Sequence, residues 1–170
     1  MSKIKENKER IWLEKFDCFA VNGKDSKRFL NGITTGNIIN LTNKVLKTCW
    51  LSPNGILKSL FEINCLENKL EVIIFVGNTS EIRKYFNDII FPSDDVSLSD
   101  IFSINRLQQV DDMNPWRITQ PVFFKNEDKK YDFYNNNPNL MNINELQLWK
   151  INQAIPSLNS EINGKIIHLN

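Results

Sequence analysis

Two β-rich runs joined by a four-residue turn do most to limit the folds open to this chain. Val45 to Leu51 is the first run and Ile56 to Cys65 the second, with Ser52-Pro53-Asn54-Gly55 between them. Pro fixes φ at the first corner, and Gly accepts the left-handed backbone that returns the chain to a strand. The spacing predicts a hairpin. Along the second run Leu57, Phe61, Ile63 and Cys65 share one face at period two. Glu67-Asn68-Lys69 then turns the chain into Leu70 to Val76. That near-continuous apolar run predicts a central strand buried on both faces.

The flanking segments supply helices and further strands. Residues Ser2 to Lys15 carry alternating charges around Ile4, Ile11 and Trp12 and predict a short amphipathic helix or a frayed leader over residues 1–15. Phe16 to Val21 reads as a strand closed by the turn dipeptide Asn22-Gly23. Asp25 is placed to cap a helix bearing Phe29 and Leu30, with Gly32 as its stop. A second helical turn is expected over Thr35 to Leu41. Thr79 or Ser80 would cap a helix whose Ile82, Tyr85, Phe86, Ile89 and Ile90 recur on one face, with Pro92 ending it. Strand-like runs follow at Ile101 to Val110, Gln120 to Lys125 and Tyr131 to Tyr134. Asn135 to Asn139 is a polar loop, and Glu145 to Asn152 reads as a last helix. The order predicts an α+β fold with split βαβ, ferredoxin-like pieces rather than a doubly wound sheet.

Chemistry is sparse. Across 170 residues, 21 Lys and Arg against 20 Asp and Glu leave a net charge of +1, which supports neither a DNA-binding face nor a polybasic membrane anchor. Three cysteines, Cys18, Cys49 and Cys65, form no C-x-x-C pair, and His168 is the single histidine, so no metal site is expected. The odd thiol count points to buried thiols in a reducing cytoplasm. Phosphate-cradle and nucleophile-elbow motifs are absent from the sequence. Asp94-Asp95 and Asp111-Asp112 sit beside turn signals and read as solvated loops before an acid/base pair. The 24 Asn and 21 Ile against two Ala reflect codon usage more than chemistry, and Asn can stand where a relative carries Asp, Gly or Lys.

Three blocks carry a resemblance. Gly23 to Ile38, GKDSKRFLNGITTGNI, resembles a G-x-D-(A/S)-x-x-(F/Y)-L-x-G-x-x-T-x-D-(V/I) signature. Leu51 to Leu57 resembles an L-x-x-K-G-R/K-(I/M)-L turn, and Leu148 to Pro156 resembles R-I-x-x-G-I/F-P, with Glu161-Ile162 beyond it. The ordered set is similar to the superfamily of YgfZ proteins and the glycine-cleavage T-protein, an aminomethyltransferase. The resemblance implies that family's folate-binding fold over residues 16–170, in one domain or two intertwined subdomains, without the C-terminal β-barrel. It also implies tetrahydrofolate or a derivative as ligand, with Thr35, Asn37, Asn54 and Gly55 as binding positions and Trp50 as a stacking partner.

The departures shape the expected role. Asn37 stands at the family Asp, Asn54 at the Lys, Ile56 at a basic position, Lys150 at the Arg and Ala154 at the Gly. Lys58 and Ser59 replace the acidic pair of T-proteins, and neither a cationic lysine nor an unassisted serine serves as a general base at neutral pH. No catalytic residue is therefore expected. The leading expectation is a YgfZ-like accessory protein, linked by resemblance to iron–sulfur client enzymes and tRNA modification. A degenerate aminomethyltransferase is the alternative from the enzyme class, and a structural or regulatory fragment without folate binding is the third. The sequence stops before the family's K-G-C-Y-x-G-Q-E motif, which predicts uncovered apolar surface around Leu146, Trp149, Ile155, Ile166 and Ile167, and self-association through it.

Overall fold

A computed structural model of the chain describes residues 9–67, 69–111, 119–125 and 134–156. They fall into two compact units, one from residues 16–103 and one from residues 9–15 with 104–155. Strands β1 (Glu9–Asn22) and β6 (Phe102–Asp111) each pass from one unit into the other.

In the unit of residues 16–103, β2 (Val45–Leu51), β3 (Leu57–Cys65), β4 (Leu70–Val76), β1 and β5 (Ser97–Leu98) hydrogen-bond in that order, every neighbouring pair antiparallel. The β2–β3 hairpin forms as its turn chemistry requires, with Val45 opposite Asn64 and Trp50 opposite Ser59. A bulge at Trp50/Leu51 lets the strands leave the ladder into the turn. β4 lies between β3 and β1, and six of its seven residues are buried. Helices α1 (Ser26–Ile33) and α2 (Thr79–Asp88) supply Leu30, Ile82 and Phe86 to a core with Phe19, Phe61 and Val72. Cys18 and Cys65 are buried and Cys49 is half-buried, all three as free thiols.

The unit of residues 9–15 and 104–155 joins the first half of β1 to β6 and β7 (Val122–Phe124), with Asn105 opposite Phe124. Leu140 bridges to Ile11 in parallel, through Ile11 N–H to Asn139 O and Met141 N–H to Ile11 O. Helix α3 (Ile143–Asn152) begins with a reciprocal capping box between Asn142 and Glu145.

Several local expectations give way to long-range bonds. Residues 9–15 are strand rather than helix, and the Ile11 backbone finds partners at residues 139–141 that no local pattern encodes. Residues 1–8 lie outside the described residues. Gly32 lies inside α1, which runs one residue further to Ile33. Thr35 to Leu41 is a bend and a turn, not a helix: Thr35 N–H bonds to Cys49 O and Ile38 N–H to the Asn31 side chain, which pins the segment to β2 and α1. Asn78, not Thr79 or Ser80, caps α2 by accepting from Glu81 N–H, and α2 ends at Asp88, four residues ahead of Pro92. Tyr134 begins a helical turn rather than ending a strand, while residues 131–133 lie outside the description. Leu146 and Trp149 are buried, so the uncovered surface expected there is not theirs. The exposed apolar residues of α3 are Ile143, Leu148 and Ile151, at 71%, 61% and 68% exposure. Asp112, Trp116, Glu161, Ile162, Ile166, Ile167 and His168 lie outside the described residues.

Candidate functional site

The signature segment folds around a brace between the start of α1 and residues 94–95. Asp25 N–H donates to Asp95 O at 3.2 Å, and the Asp25 carboxylate accepts from Asp95 N–H at 3.0 Å. Lys24 N–H reaches the Asp95 carboxylate at 3.3 Å, and Arg28 pairs with Asp94 at 2.9 Å. Asp94 and Asp95 therefore act as structural acceptors. Gly23 sits at φ +102, and a Cβ there would fall on the backbone oxygen of Asp95. Only glycine fits so close an approach.

The five sequence-predicted positions cluster around the outer strand β2 and its turn. Thr35 is exposed. Its hydroxyl lies 3.2 Å from that of Thr48 and 3.1 Å from the Cys49 thiol, and it accepts from Cys49 N–H at 3.3 Å. Asn37 is exposed beside buried Ile38. The half-buried Trp50 ring packs on Tyr85 with centroids 4.5 Å apart and edge-on to Phe86 at 5.9 Å. Asn54 and Gly55 are exposed at the hairpin tip, where Gly55 has φ +74 and donates to Ser52 O at 2.8 Å. The fold thus brings Thr35 beside Cys49, next in sequence to Trp50, and sets Asn54 and Gly55 beyond the bulge. Nearby on β3, Lys58 is exposed, and fully buried Ser59 spends its hydroxyl on Val76 O at 2.9 Å. A cation in solvent and a committed hydroxyl leave no general base at these two positions.

A second constellation was missed by sequence reading. In the unit of residues 9–15 and 104–155, the Glu14 carboxylate accepts from Trp12 Nε1 at 2.7 Å and from Lys150 Nζ at 2.9 Å to each oxygen. The Lys150 side chain is 4% exposed and that of Glu14 28%. The Arg106 guanidinium lies 4.1 Å from the Trp12 ring centroid and donates to Gln108 at 2.6 Å, and Trp149 packs on Trp12 at 5.6 Å. Glu14 faces an open cleft of about 400 Å³ walled by Leu13, Leu140, Met141, Ile143 and Leu146, with Asn105 and Asn135 also on its lining. None of the five predicted positions lines it. The one sequence signal here was Lys150 at the signature's Arg position; its partner Glu14 lies 136 residues away.

Among the described residues no cluster of metal-ligating side chains occurs, and no helix is long and apolar enough to cross a membrane. No protein-family model matches the sequence, and no curated protein matches it. Among solved structures, the glycine cleavage system aminomethyltransferase T from Bartonella henselae matches with a TM-score of 0.50 and 12% identity. The match covers 59% of this chain and 29% of that one. The fold resembles that of an aminomethyltransferase. At this identity the likeness is one of backbone architecture: a mixed α+β arrangement on an antiparallel sheet.

Proposed function

We propose that the chain is a folate-binding protein of the YgfZ-like kind, acting in the cytoplasm as a non-catalytic accessory to iron–sulfur enzymes and tRNA modification. The observation that carries this reading is the agreement between signature and fold. In a chain with aminomethyltransferase-like architecture, residues that match the signature hold the local structure together. Gly23 takes the close approach to Asp95, Asp25 braces residue 95, Leu30 enters the core, and Gly55 turns the hairpin. Ala154 supports the same reading, since it occupies the signature's Gly position at φ +52.

Lys58 and Ser59 favour binding over aminomethyl transfer. With an aminomethyl-loaded lipoyl protein and tetrahydrofolate, the chain is expected to form no methylene-folate, and measurable turnover would reinstate the enzyme reading. Tryptophan emission titrated with tetrahydrofolate tests the binding itself. A saturable change is expected, and a flat trace up to millimolar ligand refutes folate binding. The accessory role predicts that deleting the gene lowers iron–sulfur enzyme activity; unchanged activity would remove that part.

A further inference from the structure

The cleft beside Glu14 has the make-up of a small-molecule site. Its volume of about 400 Å³ suits a fused ring system, and five apolar side chains line it beside Lys15, Asn105, Asn135 and Asn142. Glu14 is fixed before any ligand arrives, because Trp12 and Lys150 donate to it from two other directions. A carboxylate has about four lone-pair sites. Three are occupied, two by the Lys150 fork and one by the Trp12 indole, which leaves one acceptor direction on Oε1. The Lys150 ammonium balances the carboxylate charge, so the recognised group need not be a cation. Asn135 adds a carboxamide, which both donates and accepts, to the same lining.

We infer that this open cleft is a binding site for an amino-substituted heteroaromatic ring, with Glu14 accepting the ring's N–H and the leucine, isoleucine and methionine side chains packing against the ring. The general ring class follows from the cleft alone. That the ring is the pterin of a folate, seated here rather than at the β2–β3 turn, rests on the folate reading above.

The Trp12 indole N–H reports on the site because it bonds to the same carboxylate. The test follows the four tryptophan indole resonances of the whole chain by nitrogen–proton correlation while free pterin, and separately tetrahydrofolate, is added. The expected result is a saturable shift of the Trp12 resonance with both probes. In Glu14→Gln, binding should weaken about tenfold or more, the scale of a lost charge-assisted hydrogen bond. If Glu14→Gln does not fold, Ile143→Phe serves instead: Ile143 is 71% exposed, so the fold tolerates the change while the larger ring narrows the cleft. Tetrahydrofolate binding that leaves Trp12 unmoved, or that survives both variants, overturns the site and spares the folate reading. Pterin binding at Trp12 without tetrahydrofolate binding upholds the site and ends the folate reading. No binding of either probe overturns both.

Discussion

Ala154 stands where the C-terminal signature carries glycine, and the geometry explains why. It follows the C-cap Gln153 of α3 at φ +52. Ile155 N–H donates to Lys150 O at 2.9 Å and Ala154 N–H to Ile151 O at 3.0 Å, the paired bonds of a Schellman ending. A Cβ in left-handed backbone costs about 1 kcal/mol relative to glycine. Ala154→Gly should therefore stabilise the chain by about that amount in urea unfolding; a destabilised variant would contradict the assignment. Gly23→Ala should act in the opposite sense. With φ +102 and the Asp95 backbone in the way of a Cβ, the loss should exceed about 2 kcal/mol, read from the same unfolding curves. A loss under 0.5 kcal/mol, the usual surface scale, would show that the brace at Asp95 gives way. Both positions were legible as motif residues, but what they do was not, because a motif records residue type and not the backbone angle that selects it.

At the scale of elements, legibility tracked the range of the interactions. The β2–β3 hairpin, β4 and the burial of Ile82 and Phe86 on α2 follow from turn chemistry and periodicity within about ten residues, whereas Tyr85 is exposed and Ile89 and Ile90 lie past the helix end. The first half of β1 does not. Its Ile11 backbone bonds to residues 139 and 141, and its three consecutive apolar residues among charges carry no period-two signal of their own. β5 is two residues long, held by pairing to β1 and by Ala20 N–H on the Ser99 hydroxyl, too short for any pattern to register. The pairing of β1 with α3 through Glu14 and Lys150 is equally invisible locally. It makes a sharp prediction: Glu14→Ala leaves Lys150 buried without its carboxylate and should cost about 2–3 kcal/mol. Glu14→Leu combined with Lys150→Met removes both charges and should recover most of that loss in chemical denaturation. Equal damage from the single and the double variant would mean that packing, not charge pairing, governs the contact.

For the whole molecule, the two units carry different parts of the functional case. The unit of residues 16–103 holds the signature brace, the hairpin and the predicted positions Thr35, Asn37, Trp50, Asn54 and Gly55. The unit of residues 9–15 and 104–155 holds the cleft with a preset carboxylate. The fold class was readable because turn chemistry and periodicity set most of the strands and helices, and the resulting α+β fold is like that of a solved aminomethyltransferase at 12% identity. The cleft was not, because its residues come from four separate stretches of chain that only the fold assembles. The proposed binding of a reduced folate can be measured directly. Isothermal titration calorimetry with 5-formyltetrahydrofolate tests it without relying on any reporter residue. A saturable heat with one folate bound per chain is expected, and the absence of any binding heat at millimolar folate would contradict folate binding.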